Sequence, residues 1–328
     1  MIVNSIIAGS GGGDDGSFKA VIERTATTPT LPSNLTSIGD YAFDGCSSLS
    51  SIDIPSGVTS IGIYAFYYCR NLETDSLPDA LTSIGNYAFY YCSKLDVSSL
   101  PNSLQTIGNY AFGRCSKLSI SSLPANLKTI GTYAFDSCSE ITITSVPSGV
   151  TTINNGAFNG CDGITQMSLP NTVTTIGGSA FYGCSHMETF TASGALRTIS
   201  TDAFRSCANL TDARFPNASI SLFAPNVFRS CGKLEIVDIG NTSSISANAF
   251  ASCYKLQTLV LRKTGSICTL ANVSAFTNTP MNGYNSLTGT VYVPSALISS
   301  YQTASNWSTL YNNGTLTFTA IEGSPYEL

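Results

Sequence analysis

The dipeptide Ala-Phe recurs at positions 42, 65, 88, 111, 134, 157, 180 and 203, giving seven successive intervals of 23 residues. Val227–Phe228, Ala249–Phe250 and Ala275–Phe276 continue the series with looser spacing. Three residues after each Phe stands a cysteine, from Cys46 to Cys253 in ten units, and Thr279 takes that place in the last. A fixed period of this length is the signature of a stacked repeat array, in which each unit contacts only its neighbours.

One full unit reads Leu49-x-x-Ile52-x-Ile54-Pro55-x-x-Val58-x-x-Ile61-Gly62-x-x-Ala65-Phe66-x-x-Cys69, and the next begins at Leu72. The L-x-x-I-x-I segment has the alternating apolar pattern of a short strand, and the proline after it stops the strand. The spacing therefore predicts one strand per unit, a return through a glycine turn, and a single 3₁₀ or helical turn around Tyr-Ala-Phe-x-x-Cys. A lone unit buries too few side chains to offset the entropy of ordering its backbone. Stacked units share their faces, so the expectation is a solenoid with a parallel sheet along one side.

Composition narrows the function classes. Charged residues make up only 11% of the chain and hydrophobic residues 43%, which supports a sizeable core. No apolar run approaches the roughly 18 residues that a membrane helix needs, so no membrane insertion is expected. A net charge of −5 argues against nucleic acid as a partner. Met1–Ser10 lacks the basic start and the long apolar run of a secretory signal, which leaves a trimmed leader or another export route. The single histidine, His186, rules out histidine-rich metal sites, and no orienting carboxylate is evident for a Cys184–His186 nucleophile. With no G-x-S-x-G elbow and no P-loop, the chain is read as non-enzymatic, with no catalytic residue, metal or cofactor assigned.

Aligned columns supply the candidate sites. The cysteine column is read as buried free thiols: stacked neighbours have parallel Cβ vectors about 5 Å apart, too wide for a disulfide, and a line of thiols does not converge on a metal. Tyr41, Tyr64, Tyr87, Tyr110 and Tyr133 form a second column, which passes to Gly156, Ser179 and Asp202. It is either an aromatic platform for a sugar or a protein, or a mutually stacked ladder that stiffens the array. Val97, Ile120 and Ile143 fall where the strand pattern expects solvent, and they form either a partner-binding apolar patch or a local twist that turns them inward. Arg205, Arg229, Lys233 and Lys255 form a basic cluster, read as a candidate anion site or as solvated surface charge.

The repeated S/T-I-G-x-Y-A-F-x-x-C-x-x-L motif resembles the BspA-like leucine-rich repeats of bacterial and some protozoan surface proteins, over roughly residues 30–280. The resemblance implies an α/β repeat fold, a right-handed horseshoe solenoid with short parallel strands on its concave face and turns or short helical segments on its convex face. It also implies a cell-surface or secreted adhesion module that binds host or neighbouring-cell proteins, such as an extracellular-matrix protein. The alternatives are a receptor-binding component of a phage-like particle and a carbohydrate-binding module using the tyrosines. The organisation read from the chain is a flexible Gly-rich leader over 1–17 and an N-terminal cap over 18–29. Repeats follow over 30–280, then a C-terminal cap over 281–328. Phe18, Val21 and Ile22 are spaced as on a short helix. Leu297, Tyr301, Ala304, Trp307 and Tyr311 are expected to share one face of a single helix between two strands.

Overall fold

The computed structural model describes residues 27–192 and 194–328, together with the backbone of Ile7–Ala8, Ser17–Phe18 and Ala20–Val21. They fall into two compact units: Met1–Val150 with Asn154–Gly163, and Thr151–Ile153 with Ile164–Leu328. Each is a stack of parallel-strand coils with very little helix, the leucine-rich-repeat solenoid that the period implies.

In the first unit each coil contributes a two-residue strand directly before its glycine: Ser37–Ile38, Ser60–Ile61, Ser83–Ile84, Thr106–Ile107 and Thr129–Ile130. They pair in parallel and in strict register, isoleucine beside isoleucine, and Ser17–Phe18 adds to the same ladder. The isoleucines are buried and the hydroxyl residues before them face outward, as a period of two requires. The glycine that follows lets successive backbones touch: a Cβ on Gly85 would lie 2.7 Å from the carbonyl carbon of Gly62.

The strand expected at L-x-x-I-x-I is absent from the described coils of the first unit. Its inward positions there are Leu95, Val97 and Leu100, or Ile141, Ile143 and Val146, spaced two and then three residues apart. Ser98 and Ser99 both face solvent, which breaks the alternation that a strand needs. Val97, Ile120 and Ile143 are therefore core residues at 0% exposure, and the outward apolar patch does not exist.

In the second unit the same segment forms strands, with full alternation at Gln166–Leu169 and Thr189–Ala192. Gln166–Leu169, Thr189–Ala192, Asp212–Arg214, Ile236–Asp238, Thr258–Val260, Gly289–Val293 and Leu316–Ala320 make one seven-stranded parallel sheet. A second short ladder joins Thr152–Ile153, Thr175–Ile176 and Thr198–Ile199.

Both ends depart from the helical spacing read in the sequence. Ser17–Phe18 pairs with Ser37–Ile38, and Ala20–Val21 pairs antiparallel with Ile7–Ala8, so the described part of 18–24 is strand. Phe18 stands in register with Ile38. The Gly-rich stretch 9–16 lies outside the described residues. After Pro294 the chain forms two short helices, Ile298–Thr303 and Trp307–Asn312. The break falls at Asn306, whose φ is 64° and whose side-chain amide donates to the carbonyl of Leu270. Tyr301 and Trp307, on either side of that kink, hold the backbone of one residue: the Cys268 N–H donates to the Tyr301 hydroxyl at 2.7 Å, and Trp307 Nε1 donates to the Cys268 carbonyl at 2.8 Å.

The core of both stacks is a pair of ladders. Phenylalanine rings lie nearly parallel, with centroids 4.9 Å apart at Phe43–Phe66 and 5.3 Å at Phe181–Phe204. All eleven cysteines are buried free thiols. Thiols of the column donate to the Phe carbonyl of the coil before, as in Cys69 to Phe43 at 3.1 Å, Cys115 to Phe89 at 3.0 Å and Cys207 to Phe181 at 3.1 Å. Burial raises the thiol pKa of Cys92, Cys115, Cys138, Cys231 and Cys253, and takes Cys268, outside the column, to about 12, so these groups stay protonated.

Candidate functional site

From Tyr41 to Cys253 the coils pass twice through the left-handed region, once at the residue before Ala-Phe or Val-Phe and once at the residue before Cys. In the first unit the first of these places is tyrosine: φ is 59° at Tyr41, 56° at Tyr64, 57° at Tyr87, 54° at Tyr110 and 53° at Tyr133. A non-glycine residue there costs roughly 1–2 kcal/mol, and Asn, Asp and Gly are the usual occupants. Gly156, Asp202, Asn226 and Asn248 hold the same place in later coils. The tyrosines offset that cost through their neighbours. Centroids are 5.1 Å apart at Tyr41–Tyr64, 4.8 Å at Tyr64–Tyr87, 4.8 Å at Tyr87–Tyr110 and 4.9 Å at Tyr110–Tyr133. Stacked pairs contribute about 0.5–1.5 kcal/mol each beyond their area.

Two further columns stand beside the ladder. Tyr67 stacks on Tyr90 at 5.5 Å, and Tyr68 on Tyr91 at 4.9 Å, while Tyr67 meets Tyr64 edge-on at 4.9 Å. Nine tyrosines of the first unit thus form one continuous cluster. The ends of the columns are built as ends. A Cβ on Gly156 would collide with the ring of Tyr133, and one on Gly113 would lie 2.9 Å from Cδ2 of Tyr90, so the last ring of two of the columns covers a glycine, while the Tyr68–Tyr91 column ends at Arg114. Tyr64, Tyr87 and Tyr110 have a tyrosine stacked on both ring faces, and the rings at the column ends on one. Tyr41, at the start of its column, is 51% exposed. Burial, with Tyr68 next, pushes the Tyr67 hydroxyl up to about 12, and burial likewise raises Tyr87 and Tyr110. Their hydroxyls are therefore neutral hydrogen-bonding groups over the physiological range.

Arginines sit over this cluster. The guanidinium carbon of Arg70 is 4.9 Å from the ring centres of both Tyr68 and Tyr91, and that of Arg114 is 5.5 Å from Tyr91. Neither residue stands out in a linear reading; Arg114 becomes visible only when it is aligned in the column of Tyr68 and Tyr91.

The basic cluster of the second unit is partly neutralised. Arg205 pairs with Asp202 at 3.3 Å and lies 5.8 Å from the Tyr182 ring, and Lys255 pairs with Glu235 at 3.5 Å. Arg229 is half-buried and Lys233 exposed. The best-formed pair of that unit is one the sequence did not single out, Arg262 with Asp238 at 2.6 Å and almost wholly buried.

Among the described residues no group of His, Cys, Asp and Glu converges to hold a metal, and no helix is long and apolar enough to cross a membrane. The family model described as a BspA-type leucine-rich repeat region matches residues 18–142 and 151–282, most of the chain. The chain belongs to the BspA-type leucine-rich-repeat family. No curated protein matches this BspA-type chain. Among solved structures it is similar to a leucine-rich cell-surface protein of Faecalibacterium prausnitzii, with 24% identity over 86% of this chain and 91% of that one and a TM-score of 0.53. A leucine-rich-repeat protein of T. pallidum shares 30% identity over 54% of this chain and 85% of its own, with a TM-score of 0.48. One of Bacteroides ovatus shares 21% over 98% and 99%, also with a TM-score of 0.48. These likenesses concern the fold, and BspA-type repeats of this kind are protein-interaction modules.

Proposed function

We propose that this BspA-type protein is a non-enzymatic adhesion module, displayed on the cell surface or secreted, and that it binds host or neighbouring-cell proteins through the tyrosine cluster of its first unit. The observation that carries this reading is the cluster itself: nine packed tyrosines, seven of them held at backbone angles that tyrosine rarely adopts. Strained residues kept together in this way point to use. Tyrosine and arginine are the residues that most often dominate protein interfaces, because they give large, rigid, amphipathic contacts at low entropic cost. Mutual stacking supplies that rigidity before any partner arrives. It also covers the ring faces on which a sugar would stack, which favours a protein partner over a glycan.

The test is adhesion of the purified protein to target cells and to immobilised matrix proteins, compared with a Tyr64→Asn/Tyr87→Asn/Tyr110→Asn variant. Asparagine already occupies this place at Asn226 and Asn248, so the backbone tolerates it. Binding should fall at least about tenfold while the thermal transition is retained. Undiminished adhesion by a folded variant would sink the reading.

A further inference from the structure

We infer that Arg70 and Arg114 form an anchoring site for the carboxylates of an acidic segment on the protein partner. The inference rests on the tyrosine cluster being the contact face. Both guanidiniums are exposed and both are pinned against Tyr91, at 4.9 Å and 5.5 Å from its ring centre, with Tyr68 supporting Arg70 from a second side. Neither forms an ion pair with any described carboxylate, whereas Lys94 and Lys117 in the same unit are matched to Glu73 at 3.0 Å and Glu140 at 2.6 Å. The carboxylate that Arg114 does influence is Asp136, which burial pushes up and Arg114 pulls down, and the two do not approach to pairing distance.

The ring contacts of Arg70 use none of its N–H donors, while Arg114 also hydrogen-bonds the Tyr90 and Tyr91 side chains, which orders it and leaves its remaining donors for a carboxylate. A cation over an aromatic face is held by the ring's quadrupole, and its in-plane donors still point outward to take a carboxylate in bidentate geometry. Two such forks around one ring, already ordered by the rings beneath them, match a segment carrying more than one acidic side chain. The protein is acidic overall, at −5, so an acidic partner must be met at a locally positive place. Of the four cations the sequence put forward, Arg205 and Lys255 are matched to acids of their own, and Arg229 and Lys233 have no aromatic ring beneath them among the described residues.

The test uses fluorescence anisotropy of a labelled oligo-glutamate peptide with the full chain, with oligo-lysine and heparin as comparison probes. The wild-type protein should bind oligo-glutamate saturably, with affinity falling as salt rises. Arg70→Gln/Arg114→Gln should weaken it about tenfold or more, and Arg70→Lys/Arg114→Lys, which keeps the charge but loses the fork, should lie between. Lys94→Gln/Lys117→Gln, at cations already matched to Glu73 and Glu140, should keep its oligo-glutamate binding. Oligo-glutamate binding by a wild-type protein that adheres to no protein target would separate failure of the adhesion reading from failure of this one. No binding of oligo-glutamate, equal binding by the Arg70→Gln/Arg114→Gln variant, or binding of heparin alone would overturn the inference.

Discussion

The two units are made from the same coil, yet they differ on both sides of it. Phe and Cys ladders run through each, with ring spacings of 5.5 Å at Phe89–Phe112 and 5.3 Å at Phe181–Phe204, and thiol bonds of 3.0–3.1 Å. On one side, the segment after the conserved Leu place is strand in the second unit and irregular in the first. On the other, the left-handed place before Ala-Phe is tyrosine in five coils of the first unit and Gly156 in its last, and Ser179, Asp202, Asn226 and Asn248 in the second. The difference teaches which columns make a coil and which are free. Ile, Ala-Phe and Cys make it; the outer strand and the left-handed residue vary around a core that does not change.

The sharpest way to break this comparison is to strike the shared ladder. Phe112→Ala in the first unit and Phe204→Ala in the second should each cost about 3–5 kcal/mol, since both rings are fully buried between stacked neighbours. Denaturant unfolding of the two variants checks it, and a loss below about 1 kcal/mol in either unit would mean that its core is not built as the other's is.

A smaller effect sharpens the contrast at the left-handed place. Ser179→Tyr puts a tyrosine at a φ of 54° in a unit that offers no tyrosine column to receive it. It should change stability by less than about 1 kcal/mol, since serine there already bears the backbone cost and the new ring finds no stacking partner. Tyr87→Asn removes two stacked pairs against partial relief of that cost, and its thermal midpoint should fall further than that of Ser179→Tyr. A smaller shift for Tyr87→Asn would show that stacking does not offset the strain.

The smallest effect is a pH dependence confined to the first unit. A phenol whose folded pKa is raised stabilises the fold below its unfolded pKa, near 10, and that contribution is lost as pH climbs through the folded value. For Tyr67 the window runs from about 10 to about 12. Ultraviolet phenolate absorbance on alkaline titration should show a late-ionising tyrosine, and Tyr67→Phe should remove it.

Much of this was legible in the sequence, because a period of 23 with fixed Phe and Cys columns admits few solutions. The cysteine column could be read as buried thiols from geometry alone. The hydrogen bond from each thiol to a carbonyl one coil away could not, since it depends on how the coils are offset. Strand placement failed for a different reason. The unit beginning at Leu49 has Ile52 and Ile54 in strand phase, but the next coils move the inward residue to Val97 and Ile120, so no neighbour in phase remains to pair with. The true strands, Ser60–Ile61 and its equivalents, are two residues long and too short to show a period. The tyrosine column was visible, whereas its glycine ends and the arginines above it are properties of ring direction. The Arg205–Asp202 pair was within reach, since the two lie three residues apart.

The thiol bonds bear on how such a chain can change its length. Each coil brings one Cys donor and one Phe carbonyl acceptor, and the bond always crosses to the adjacent coil. Gain or loss of a whole 23-residue segment therefore keeps donors and acceptors in balance and strands no polar group in the core. A slip of a few residues inside the period would leave a donor facing the wrong rung. Duplication in whole units is thus the cheap step and partial insertion the costly one, which lets the reach of the array be altered by recombination while its interior chemistry stays fixed.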